Sequence, residues 1–500
     1  MIPLGAYATD TAVYYCSLEP DGPKLVATPR SSDPIPARGP AFPVFAWDER
    51  EMADDRGVRF SDPADARPFF ARNGRMPEPI VAHGVGVMQI VVGPVHAGII
   101  EPGRFTLSSG GETVVHLDAQ LGYAHRGIER ALEGRDALAA APLVARICGS
   151  CSAARAHAYA LALESLAEVT VGAAARWARL VICELERIVN HLGDLAMCAS
   201  AAAWVPGFAR GLTLKERAMR LCAQACGHRL LFDAIVPGGV GAHVLPDPSG
   251  LRQTLEAFAN DVEAYVEDLF ANASVRSRWQ GAGIVTHALA TAFGAVGPAH
   301  RASGGEIDVR RAAPYGAYRD IPVTVHGARH GDVEARCTVK RDELRTSFAL
   351  IATALGMLPK TQGREPGALA LERGIGVGCI EGARGAEFVA VHLDDGGRIA
   401  RFHAISASYR NWPVVARAMD GNIIPDFPLV NKSFNLCYAC ADRCARIAVP
   451  SGSVISSAAA ATAASTRSTR SPTRSTTSRR RAGISSRHRA TPTWSPSPGR

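Results

Sequence analysis

Between Val85 and Leu117 the apolar residues come in short runs: Val87, Ile90, Val91 and Val92, then Ile99 and Ile100, then Phe105, Leu107, Val114 and Val115. Gly93-Pro94, Pro102-Gly103 and Gly110-Gly111 break them, so this stretch predicts short β-strands joined by turns. From about 118 to 290 the period becomes helical. Val181, Leu185, Ile188, Leu192 and Leu195 step along one face of a helix within 173–200. Thr213-Leu214-Lys215-Glu216 predicts the start of a second helix, because a Thr and a Glu three apart can satisfy each other's backbone N–H groups, and this helix is expected to stop before Pro237-Gly238-Gly239. Leu251, Leu255, Phe258, Val262, Tyr265 and Leu269 mark a third. Three long helices with apolar stripes predict a bundle.

Gly, Pro and Arg dominate 294–335, which reads as loop; a helix is expected over about 341–357 and a hairpin over 387–405 around Asp394-Asp395-Gly396-Gly397. Residues 1–80 are rich in Pro, Asp and Arg and read as an irregular arm or the remnant of a small domain, with an apolar and acidic knot at Phe42 to Glu51. No internal repeat is visible before residue 450. Residues 447–500 are low-complexity Ser, Thr, Arg and Ala that cannot bury a core and are expected to be disordered. The fold expected is α+β, mainly a helical bundle core at 81–446 with a β-rich N-terminal region.

Charge changes the picture only once it is located. The net charge is +8 and the pI about 9.0. Nine of the 55 basic residues are arginines within 451–500, which holds no acid, so residues 1–450 carry 46 basic and 47 acidic side chains. The body is near neutral and offers no basic groove for nucleic acid. With 500 residues the chain can hold roughly three domains. Met1 to Cys16 lacks the cationic start and apolar run of a signal peptide, and no apolar run reaches the roughly 18 residues of a membrane helix. The 12 cysteines, mostly single within Ala-rich helical text, fit reduced thiols in a cytosolic compartment.

Two of the cysteine groups are paired. Arg146-Ile147-Cys148-Gly149-Ser150-Cys151 and Leu436-Cys437-Tyr438-Ala439-Cys440 each set two thiols across two residues, and 285 residues lie between the pairs. Thiolates suit zinc, iron–sulfur clusters and other thiophilic metals. A structural zinc site normally places its second pair after about 15–20 residues. Spacing alone leaves two readings open: one shared metal site, or buried and unrelated thiols.

Around these pairs the text resembles the nickel-iron hydrogenase large subunit. Gly93 to Gly103 (GPVHAGIIEPG), Gly122 to Glu129 (GYAHRGIE), Glu184 to His191 (ELERIVNH) and Asp308-Val309-Arg310-Arg311 are similar to the complex-I-related, energy-converting class, of which the formate hydrogenlyase large subunit is the nearest type. The same segments resemble the quinone-site subunit of respiratory complex I, in which the four metal cysteines are absent. The similarity covers about 85–443, and Phe42 to Phe70 weakly resembles the end of the small complex-I domain fused ahead of the formate hydrogenlyase subunit.

The resemblance implies a nickel-iron large-subunit fold in which Cys148 and Cys437 are terminal nickel ligands, while Cys151 and Cys440 bridge nickel to an iron bearing cyanide and carbon monoxide. It implies heterolytic splitting of dihydrogen, with Cys437 taking the proton and Glu101 relaying it. Arg384, in Glu381-Gly382-Ala383-Arg384-Gly385, matches the arginine that hangs over the metals in that family, and Glu129 matches the position that binds a structural magnesium or iron ion. Without the resemblance, Glu101 reads as a solvated loop acid, Arg384 as a turn arginine and Glu129 as a helix-surface acid. His125, His157 and His191 read as satisfied helix histidines, His96 as a loop histidine with functional weight, and Cys183, Cys198, Cys222, Cys226, Cys337 and Cys379 as small core residues.

Two departures stand out. The family usually has His four residues after the second cysteine of the first pair, where this chain has Arg155, with His157 two places on. Asn435-Leu436 replaces the frequent Asp-Pro before Cys437. Past Arg443 the family carries a short extension that a nickel-dependent maturation endopeptidase removes; here a long tail follows, expected either to be cleaved near Arg443 or to reflect a shifted reading frame. The implied partners are an iron–sulfur small subunit and the membrane-arm subunits of an energy-converting complex, holding the chain on the cytoplasmic face of the membrane. Two rivals remain: a quinone-reducing subunit of a complex-I-like NADH dehydrogenase, with its NAD-linked and quinone-binding roles, and a degenerate subunit kept for assembly.

Overall fold

Short apolar and aromatic runs at the N-terminus form, in the computed structural model, an antiparallel sheet of β1 (Ile2–Ala8), β2 (Ala12–Glu19) and β3 (Gly22–Pro29). The structure describes residues 2–71, 75–96, 100–123, 126–358 and 367–441. Two-residue strands β4 (Ile35–Pro36) and β5 (Phe60–Ser61) pair in parallel around α1 (Ala46–Arg56). The stretch expected to be irregular therefore holds regular structure. Its order comes from buried charge that composition alone does not reveal: Asp48 of α1 accepts from the Ala6 amide at 2.9 Å and pairs with Arg410 at 2.7 Å.

The β-rich stretch forms β6 (Val87–Val92), β7 (Arg104–Gly110) and β8 (Thr113–Gln120) as an antiparallel meander, as the turn signals predict. Ile99 lies outside the described residues. Short α2 (Ile128–Leu132) and α3 (Ala137–Ala145) lead to the Ala-rich α4 (Ser152–Leu166). The bundle follows with α5 (Ala173–Ala201), α6 (Val205–Cys226) and α7 (Pro248–Ala271), separated in part by the small hairpin β9 (Ile235–Val236) and β10 (Gly239–Val240). The five apolar stripe residues of α5 and the six of α7 are all buried, as their spacing requires.

The start of α6 differs from expectation. Thr213 sits inside the helix, where its hydroxyl donates to the Ala209 carbonyl at 3.0 Å, and Glu216 pairs with Arg220 and Arg229 instead of capping. A proline in the first turn replaces the cap: it has no N–H to satisfy, and its fixed φ suits helix entry. Residues 294–335, read as loop, hold parts of the next series of short helices, α8 (Ala273–Trp279), α9 (His287–Ala292), α10 (Gly297–Ala302) and α11 (Val309–Ala312). Next comes α12 (Val333–Met357), capped by Asp332 accepting from the Ala335 amide at 2.8 Å. It begins earlier than its apolar period suggests because its first turns bury Arg336, which donates to the Gly283 and Gly331 carbonyls, and Lys340, which pairs with Asp194.

The expected hairpin is present as β12 (Gly385–Leu393) and β13 (Ile399–Ile405), but a strand unseen in the sequence, β11 (Gly374–Gly382), completes the sheet. Glycines hid it: Gly376 and Gly378 let the strand lie directly on α4, where a Cβ would stand 2.2 Å from the Ala162 carbonyl oxygen or 2.0 Å from that of Ala158. Helices α13 (Ala407–Ala418) and α14 (Phe427–Phe434) then return the chain to α5 and the second cysteine pair.

Charges of α5, α10, α11 and α12 meet in the interior. Glu184 accepts from Arg310 at 3.0 Å, Tyr318 at 2.6 Å and Ser347 at 2.6 Å; Glu343 accepts from His191 at 2.7 Å and pairs with Arg301; Arg301 reaches Glu381 at 2.8 Å. Burial alone would raise Glu184, but Arg187 and Arg310 hold it down at about 2, and Asp308 is held at about 2 against burial by Arg310 and Arg301.

Two outcomes follow for stability. Gly378→Ala is expected to destabilise the fold by about 1–3 kcal/mol or more, read as a lower unfolding midpoint, because the added methyl meets backbone; unchanged stability would contradict this packing. Because Glu184 and Asp308 have depressed folded-state values, their contribution is present above their ordinary values of 4.5 and 3.8 and is lost as pH falls toward about 2. Denaturant titrations from pH 6 to pH 3 are expected to show stability falling with pH and a shallower fall in Glu184→Gln.

Candidate metal centre

Cys148 lies in the turn after α3, and Cys151 is the residue that opens α4. The turn is held on three sides: Arg146 forms a two-pronged pair with Asp233 at 2.7 and 2.6 Å, Asn190 of α5 donates to the Ser150 carbonyl at 2.8 Å, and Arg126 donates to the Ile147 carbonyl at 2.8 Å. The second pair follows α14, which Asn435 closes in the left-handed conformation at φ 50°. The Cys437 amide donates to Ser408 Oγ at 3.0 Å and the Cys437 carbonyl accepts from Trp412 Nε1 at 3.3 Å. The Arg126 guanidinium also donates to the Ala439 carbonyl, so one side chain ties both cysteine segments together.

The segments converge. Cys151 Sγ and Cys440 Sγ are 3.8 Å apart, and the sulfurs of Cys148, Cys151 and Cys440 all lie within 4.8 Å of one another. This is the only group of three metal-ligating side chains with that proximity among the described residues. Cys437 stands beside this group, and the three neighbouring thiols together with the Arg384 guanidinium hold it well below the usual thiol range despite burial. Contacts with its neighbours, together with burial, push the Cys151 thiol well up. A buried sulfur-only donor set of this kind suits soft, thiophilic metals.

Arg384 stands in the two-residue turn between β11 and β12, where Gly382 faces Gly385. Gly385 is required there: its φ is +124°, and a Cβ would meet the Gly297 amide nitrogen at 2.5 Å. The guanidinium donates to the Asn435 carbonyl, to Asn190 Oδ1 at 2.7 Å, and lies 3.6 Å from Asp194. Burial works against its charge, but Cys437, Asp194, Cys148 and Cys151 overcome this and raise its pKa.

Arg155 is buried on α4, and its charge is matched. Its guanidinium pairs with Glu387 of β12 at 2.6 Å, and Glu387 also accepts from the Ala407 amide at 3.1 Å. The charge of the residue that departs from the family pattern is thus neutralised by a buried carboxylate. Glu186 of α5 caps the start of α4, accepting from the Ala153 amide at 2.7 Å and the Ala154 amide at 3.1 Å; burial raises it to about 7.

A cavity of about 860 Å³ opens onto Cys148, Cys437 and Arg384. Its wall is mostly apolar, with Val92, Phe105, Leu107, Phe427 and Leu436, and it carries Glu101, Lys215 and Lys432. Glu101 is exposed on this cavity. His96 lines it too, its Nε2 2.7 Å from the Gly103 carbonyl. Glu129 is buried on α2, receiving the Ala404 amide at 3.0 Å and lying 3.1 Å from His403 Nδ1 and 3.4 Å from Arg401.

His157 contacts Cys183 Sγ at 3.4 Å and His191 contacts Glu343 at 2.7 Å, both as buried helix histidines, while His125 and Arg443 lie outside the described residues. Cys183, Cys198, Cys222, Cys226, Cys337 and Cys379 are buried core thiols, as is Cys16. Sequence reasoning missed Asn190, Asp194, Lys340, Glu387 and Ser408. Asn190 and Asp194 had one usable signal: they stand four apart on α5 and so share the face that meets the cysteines. Lys340, Glu387 and Ser408 carried none.

Comparison with known proteins follows the same lines. The family description "Nickel-dependent hydrogenase" matches residues 126–194, and "Respiratory-chain NADH dehydrogenase, 49 Kd subunit" matches residues 205–373. The chain is 31% identical over 376 residues to the membrane-bound hydrogenase subunit alpha of Pyrococcus furiosus, covering 72% of this chain and 88% of that protein. It is 28% identical over 465 residues to formate hydrogenlyase subunit 5 of Escherichia coli, covering 86% of this chain and 82% of that protein. In fold it is similar to a chain of the archaeal membrane-bound sulfane sulfur reductase, with a TM-score of 0.66, 24% identity, and coverage of 72% of this chain and 99% of that one. The chain belongs to the family that unites nickel-iron hydrogenase large subunits with the 49 kDa subunit of respiratory complex I.

Proposed function

We propose that this chain is the catalytic large subunit of a nickel-iron hydrogenase that interconverts dihydrogen with protons and electrons. The observation that carries the reading is the convergence of two distant cysteine pairs, with Cys151 and Cys440 sulfurs 3.8 Å apart, beside a buried arginine. Cys148, Cys151, Cys437 and Cys440 would together hold a nickel-iron centre whose iron carries cyanide and carbon monoxide. The bound centre would supply heterolytic cleavage of dihydrogen.

The side chains then have separate tasks. Cys437 is the one of the four that is not fully buried, and it faces the cavity, so its Sγ is the place for a proton to be received briefly and handed on. Glu101, on the same cavity, is the acceptor that takes the proton toward solvent. Arg384, fixed by Asn190 and the Asn435 carbonyl, presents constant positive charge and N–H donors to anionic ligands at the centre. Glu387 keeps the Arg155 charge from acting on the thiols uncompensated.

Electrons would pass to an iron–sulfur subunit. The names of the membrane-bound relatives support assembly with membrane subunits, placement on the cytoplasmic face belongs to the proposal alone, and among the described residues no helix is long and apolar enough to cross a membrane. A nickel-dependent endopeptidase acting near Arg443 and a division into residues 1–80, 81–446 and 447–500 belong to the same proposal. A second reading, quinone reduction in a complex-I-like enzyme, is favoured by the apolar cavity wall beside His96.

Glu101→Gln is expected to lower hydrogen-dependent dye reduction by about 100-fold or more while leaving the metal content unchanged. An unaltered rate would remove Glu101 from the proton route. Cys437→Ser is expected to abolish the reaction; persistence of dye reduction in that variant would contradict the hydrogenase reading.

A further inference from the structure

Behind the cysteines, one carboxylate gathers several donors. Asp194 of α5 is fully buried. Its Oδ2 accepts from Lys340 Nζ of α12 at 2.6 Å, its Oδ1 accepts from Asn435 Nδ2, and Arg384 Nη2 lies 3.6 Å away. Lys340 donates a second bond to the Ser433 carbonyl at 2.8 Å, at the end of α14. The Asn435 carbonyl in turn accepts from Arg384 Nε. The contacts form a closed circuit: Lys340 holds α14 and Asp194, Asp194 holds Asn435, and Asn435 holds Arg384.

Asn435 is the hinge of this circuit. It is the left-handed residue that ends α14 and stands two positions before Cys437. Its side chain must donate, because the partner is a carboxylate with cations on both sides. Burial alone would raise Asp194, yet Lys340 and Arg384 hold it well below the ordinary range, so it stays ionised. A fixed anion clamped between two cations suits holding geometry and is unsuited to passing a proton on. An acid at 435 would set two carboxylates against each other in a buried space.

We propose that Lys340 and Asp194 form a fixed-charge clamp that positions Asn435, and through it both the Cys437 loop and the Arg384 guanidinium. Lys340, Asp194 and Asn435 are positioning residues; none of them is a ligand or a proton carrier. The consequence for catalysis rests on the hydrogenase reading above, whereas the clamp itself does not. The Asn435 amide is then a requirement of this chain, matched to Lys340 on α12.

Amide hydrogen exchange of the full chain tests this without metal, so the result is independent of whether nickel binds. Lys340→Met and Asn435→Asp are each expected to speed exchange in peptides covering 435–441 by about tenfold, with α7 unchanged. Lys340→Arg, which keeps the charge, is expected to restore slow exchange. Asn435→Asp is nearly isosteric and only half-buried, so it serves where loss of the buried lysine prevents folding. Wild-type exchange at 435–441 in Asn435→Asp would overturn the clamp. So would a uniform acceleration that includes α7, since that would mark a general loss of stability.

Discussion

Two chain segments with 285 residues between them must meet with four thiols facing inward, and the Arg126 guanidinium touches both. It donates to the Ile147 carbonyl beside the first pair and to the Ala439 carbonyl within the second. An arginine can do this because its planar fork offers several donors in fixed directions. The rest of the fold serves that meeting: α4 starts from the first pair, α14 ends just before the second, and α5 runs between them with Asn190 and Asp194 on the shared face.

Charge is used for register here more than for stability. Buried ion pairs gain little net free energy over well-packed apolar residues, but removing one partner costs about 3–5 kcal/mol. The interior pairs from Glu184 to Glu381 therefore penalise any misplacement of α5, α10 and α12. The same rule accounts for Arg155. A cation beside the thiols is tolerable because Glu387 lies 2.6 Å from it.

Legibility in the sequence followed the length scale of each cause. The stripes of α5 and α7 and the meander of β6 to β8 are local patterns, and they appear as read. The cysteine pairs were legible as chemistry, and the resemblance joined them into one site. What stayed hidden depends on distant partners. Strand β11 has glycines where a strand usually has branched residues, because it lies on the backbone of α4. The N-terminal sheet is ordered partly through Asp48 and Arg410, 362 residues apart. Thr213 and Glu216 carry a local cap signal, yet a proline in the first turn sets the helix start upstream. Glu129 reads, without the resemblance, as a helix-surface acid, and it is buried against Arg401 and His403.

The central claim is that these four cysteines hold a nickel-iron centre, and it is met most directly by metal analysis of the matured protein together with infrared spectroscopy. Nickel and iron in equal amounts, with absorption bands of iron-bound cyanide and carbon monoxide, are the predicted result. Properly matured protein that lacks nickel and shows no such bands would contradict it.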